Sequence, residues 1–76
     1  MQCQFQGGLF TTIFVPDDER NGRSLELHHI LNGDDRIVAE IFIPNLGIAP
    51  TFALFATELP FHVVDELIKE MKIRHP

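Results

Sequence analysis

The hydrophobic residues of this chain change their period once, near Pro60. Upstream, apolar residues alternate or run in short blocks rich in Ile, Val, Phe and Thr, the composition and spacing of strands. Downstream, Phe61, Val64, Leu67, Ile68 and Met71 recur at helical spacing, with Val63 beside the stripe. A 76-residue chain built this way has room for one sheet and one helix in a single domain over residues 1–76.

Four blocks read as strands: LFTTIFV at 9–15, SLELHHIL at 24–31, RIVAEIFI at 36–43 and TFALFAT at 51–57. Turn-forming residues separate them, in PDDERNGR, NGDD and PNLGIAP. The upstream segment QCQFQ also alternates and can extend the first strand, with Gly7-Gly8 as a bulge or bend. In the segment 60–74, Pro60 suits a first helical position, Asp65 and Glu66 come early, and Lys69, Lys72 and Arg74 come late. The pattern predicts an α+β fold: an antiparallel four-stranded meander with one C-terminal helix packed on one face.

Side-chain parity sets a register for each hairpin. Pairing Leu31 with Ile37 places His29 against Ala39, Leu27 against Ile41 and Leu25 against Ile43, an almost wholly aliphatic row. The opposite face then pairs Ile30 with Val38, His28 with Glu40 and Glu26 with Phe42. The first hairpin, by the same rule, pairs Val15 with Leu25, Ile13 with Leu27, Thr11 with His29 and Leu9 with Leu31. Phe10, Thr12 and Phe14 join the mixed face. Both faces of the fourth strand are apolar, so its register is open.

Chemistry-bearing patterns are sparse. His28 and His29 are adjacent, and neighbours in a strand point to opposite faces, so they cannot share one metal ion. His29 is expected on the aliphatic face, bonded to Thr11 or to backbone. His28, with Glu40 and Glu26 nearby, is expected in a structural cross-strand pair; a zinc or acid–base site there is the weaker alternative. His62 and His75 are expected in solvent. DDERNG loosely matches the start of a calcium loop, but position 28, where the closing Glu belongs, is His. Cys3 lies among glutamines without a base and reads as an ordinary thiol. No phosphate loop, nucleophile elbow or CxxC is present. These patterns predict no enzyme, no cofactor and no metal.

With 6 Lys and Arg against 11 Asp and Glu, the chain has a formal charge of −5, which disfavours direct nucleic-acid binding. No apolar run reaches the roughly 18 residues of a membrane span, and one cysteine permits no internal disulfide, so a cytoplasmic location is expected. One helix covers one sheet face. The other is expected to show Phe10, Phe14, Ile30, Val38 and Phe42 around His28 and Glu40, with Phe52 or Phe55 added by the fourth strand. A contiguous apolar patch of that kind marks an interface. The expectation is a self-associating, homodimeric protein-interaction module acting as a regulator, adaptor or inhibitor, its protein partner unspecified. An alternative is an acidic inhibitor that occupies a nucleic-acid-binding site of its target, using Asp17, Asp18, Glu19, Asp34 and Asp35.

Overall fold

A computed structural model describes residues 1–75. Five strands, β1 (Gln2–Phe5), β2 (Gly8–Asp17), β3 (Gly22–Leu31), β4 (Asp34–Pro44) and β5 (Thr51–Leu54), precede one helix, α1 (Phe61–Arg74). They form an open antiparallel meander in the order β1-β2-β3-β4-β5. The α+β architecture is as expected, with five strands rather than four. The extra strand is the QCQF segment. Gln6 and Gly7 both adopt positive φ, so the chain reverses there in two residues instead of bending on. No described helix is long and apolar enough to cross a membrane.

The core holds Phe10, Leu25, Leu27, Val38, Ala39, Ile41 and Ile43 from the sheet, and Val63 and Leu67 from α1. The helix is turned from the expected stripe: Phe61 is 89% exposed and Ile68 half-exposed, while Val63 and Leu67 are buried. A polar contact explains the turn. Glu70 faces the sheet, where its Oε1 accepts from the Met1 amine and from the Thr12 hydroxyl, both at 2.6 Å. Asp65 and Glu66 fall outside the first helical turn, whereas Lys72 and Arg74 occupy the last, favouring the helix dipole there.

Both expected registers change. In the first hairpin Phe10 pairs with His29, Thr12 with Leu27 and Phe14 with Leu25, one residue away from the expected pairing. The loop decides this. Asp17 pairs with Gly22 around a four-residue turn, in which the Asn21 N–H donates to the Asp18 carbonyl. Both faces of β2 are apolar, so side-chain alternation cannot resist the slip. In the second hairpin Leu25 pairs with Ile41 and Leu27 with Ala39, two residues away from expectation, with the faces preserved.

Beyond Leu27 the second hairpin also carries a bulge. Asn32 (φ 52°) and Gly33 (φ 79°) form a two-residue turn that pairs Leu31 with Asp34. Continued regularly, that pairing would set Leu25 against Glu40. The ladder instead skips Val38, moving from Leu27–Ala39 to His28–Ile37. The turn and the aliphatic row thus demand registers one residue apart, and the bulge reconciles them.

Candidate functional site

The register changes dismantle the expected aromatic patch. Phe10 is in the core, and Val38 joins it through the bulge. Phe14 packs against the core beneath the Arg74 guanidinium, 4.7 Å from its ring centroid. Of the residues expected on the uncovered face, Phe10, Phe14 and Val38 therefore lie on the helix side. Ile30, Phe42, His28 and Glu40 stay on the reverse. His29 keeps its expected face but stacks on Phe10, centroids 4.3 Å apart, instead of bonding Thr11. His62 is exposed, with its ring 5.4 Å from that of Phe5.

Polar chemistry on the reverse face is internally satisfied. Glu26 and Glu40 stand directly opposite each other, a repulsive cross-strand pair. Each has its own basic partner. Arg20 donates to Glu40 at 2.7 Å, to Asp17 at 2.6 Å and to Ser24 at 3.1 Å, and lies 4.4 Å over Phe42. His28, nearly buried, places Nε2 3.1 Å from Glu26 and Nδ1 2.9 Å from Asp35. Asp35 replaces Glu40 as the second carboxylate because the bulge brings Asp35 onto His28's face. Among the described residues, no group of three or more His, Cys, Asp or Glu is arranged to hold a metal ion.

Both carboxylates can only accept, so an imidazolium bearing both protons satisfies them together. Burial opposes that charge; the bonds from Asp35 and then Glu26 outweigh it and raise the His28 pKa. A raised folded pKa gives stability that is complete below the unfolded value of about 6.5 and is lost as pH rises through the folded value. Urea midpoints are therefore expected to fall between about pH 5.5 and pH 8.5, and the fall should shrink in His28→Gln. An equal fall in both proteins would refute the imidazolium assignment.

The acidic loops do not form one rim. Asp17, Asp18 and Glu19 lie at the β2–β3 end, and Asp34 and Asp35 at the opposite, β3–β4 turn. Asp34 is paired with Arg36 at 2.8 Å, and Asp17 and Asp35 are engaged as above.

What remains open are the two sheet edges, β1 and β5, and of these β5 presents the larger apolar surface. Natural edge strands are usually guarded by charges, prolines or bulges. Within β5 there is none of these, and residues 41–57 contain no Asp, Glu, Lys, Arg or His. Phe52 is 53% exposed, Leu54 45% and the adjoining Phe55 61%. Between this edge and α1 runs a hollow of about 250 Å³, lined by Ile41, Pro50, Phe52, Val64, Ile68 and Met71. A larger hollow of about 470 Å³ lies over the Phe10–His29 stack, bounded by Phe5, Leu31, Leu59 and Pro60. Phe5 belongs to β1, the opposite edge of the sheet, where it is the only exposed large apolar side chain. Sequence reasoning added Phe52 only to a flat face; the charge-free stretch from 41 to 57 was the signal for the edge.

These features define a small α+β protein with an open, unguarded sheet edge. Comparison with known proteins finds no matching family model, no matching curated protein and no matching solved structure.

Proposed function

We propose that this chain is a non-enzymatic protein-interaction module that self-associates, and that it regulates, links or inhibits a protein partner by presenting the β5 edge. The uncharged, exposed edge strand carries this reading: unpaired main-chain groups flanked by Phe52, Leu54 and Phe55 favour an added strand. The polar groups of the reverse face support it too, being occupied with one another rather than arranged around a substrate.

Magnitudes indicate a weak complex. With about 200 Å² for a whole Phe side chain, the exposed parts of Phe52, Leu54, Phe55 and Ile68 amount to roughly 400 Å² per copy. Two copies bury about 800 Å², below the roughly 1,200 Å² of standard stable interfaces. At about 25 cal/mol per Å² the gross gain is roughly 20 kcal/mol, against an association cost of about 4–15 kcal/mol plus side-chain ordering. With a total cost of about 13 kcal/mol, near the upper end once side-chain ordering is included, the remaining roughly 7 kcal/mol corresponds to a dissociation constant on the order of 10 μM. Sedimentation equilibrium should show dimers near about 100 μM and monomers near about 1 μM. A monomer throughout that range would overturn self-association.

A further inference from the structure

We infer that the partner of β5 is the same strand of a second copy, antiparallel across a two-fold axis at Ala53, so that two five-stranded sheets become one continuous sheet. This inference rests on the self-association proposed above and specifies its geometry.

The hydrogen-bonding direction of each β5 residue follows from the ladder. The Phe55 N–H donates to the Val38 carbonyl at 2.8 Å, in line with the pairing of Leu54 with Ala39 and Ala53 with Glu40. Antiparallel bonding alternates along a strand, so Phe55, Ala53 and Thr51 turn their main-chain groups toward β4. Phe52 and Leu54 turn theirs outward.

Those two residues select the register. Centring the pair on Ala53 sets Phe52 opposite Leu54 of the other copy, and Leu54 opposite its Phe52. Each of the two pairings exchanges an N–H and a carbonyl in both directions, giving four main-chain hydrogen bonds. Centring on Phe52 would place Leu54 against Pro50, which has no N–H to give. Centring on Leu54 would place Phe52 beyond the strand, at Ala56.

Side chains agree with this register. Phe52 pairs with Ile41, and both line the apolar hollow beside α1. Across the new junction Phe52 meets Leu54, so a large apolar side chain faces another in each of the two equivalent positions. No charge within residues 41–57 has to be desolvated or matched. A highly charged partner strand would find no counter-charge there, whereas a second β5 is neutral in the same way.

A crosslink tests the axis. Ala53 and its symmetry mate form a non-hydrogen-bonded pair with Cα atoms about 4.5 Å apart, within disulfide range. Ala53→Cys, in a Cys3→Ser background, should oxidise to a covalent dimer at concentrations where the parent is dimeric. Thr51→Cys in the same background should not, because position 51 faces 55 of the other copy. Leu54→Pro removes an outward N–H and leaves the β4 ladder intact, a placement that edge strands tolerate. It should weaken dimerisation by at least about tenfold, since two hydrogen bonds are lost per dimer. Phe52→Lys should weaken it further, and circular dichroism of both variants should match the parent. If the parent dimerises but Ala53→Cys fails to crosslink and Leu54→Pro and Phe52→Lys leave the association unchanged, the β5 pairing is wrong while self-association stands. A parent that stays monomeric overturns both.

Discussion

Leu67→Ala is expected to lower stability by about 2–5 kcal/mol, the cost of emptying a fully buried leucine site. Leu67 is 1% exposed and, with Val63, supplies the buried anchor of α1. A domain of this size has roughly 4–11 kcal/mol in total, so the loss is a large share of it. Ile68 is next to it in sequence but 41% exposed beside the β5 hollow. Ile68→Ala should therefore cost much less. Urea denaturation followed by far-ultraviolet circular dichroism can compare the two, since the chain has no Trp or Tyr for fluorescence. Equal losses would mean that the helix docks through a different stripe.

Gly22→Ala should cost about 1–3 kcal/mol, as overpacking does where the surroundings cannot yield. A Cβ there would lie 2.5 Å from the Ile43 carbonyl oxygen and 2.6 Å from the Phe42 ring. The Arg20 guanidinium also lies over that ring, 4.4 Å from its centroid. The carbonyl is backbone of a central strand, so neither neighbour moves freely. Gly33 provides the contrast: a Cβ there meets nothing within 4 Å, and its φ of +79° is the only obstacle to substitution. In a domain of this size each kcal/mol shifts the melting temperature by about 4–8 °C. A Gly22→Ala protein that melts with the parent would show that β3 and β4 separate at that end more easily than the packing implies.

The fold class was legible because the period of the hydrophobic pattern changes once and the turn residues stand between the blocks. The aliphatic face of β3 and β4 was legible for the same reason: Leu25, Leu27, Ala39, Ile41 and Ile43 share a side whichever even shift the hairpin takes. The face of β2 was not. Leu9, Ile13 and Val15 rival Phe10 and Phe14 in apolarity, so the length of the 18–21 loop chose between them, and alternation carries no information about that length. The helix was placed to within a residue. Its rotation was missed because Glu70, a charged residue, packs inward on Thr12 and the Met1 amine. The candidate surface was half legible. The excess of phenylalanine was visible, and the meander order already put the last strand at an edge, but which of its side chains face the helix depended on a register that pattern alone left open. His28 beside Glu26 could be read from residues two apart on one strand. Asp35 could not, because a bulge is invisible to parity.

That bulge has a consequence for how the domain can vary in length. Without Val38, the pairs Leu27–Ala39 and His28–Ile37 would follow one another without interruption, and the Asn32-Gly33 turn would already be in phase. A single-codon deletion at this point forfeits one buried valine and the carbonyl that accepts from the Phe55 N–H, yet keeps the β3–β4 pairs and the pairs of β4 with β5 in place. An indel in the middle of β3 would instead reverse part of the inward row, so position 38 is where this hairpin most readily absorbs the loss of a residue.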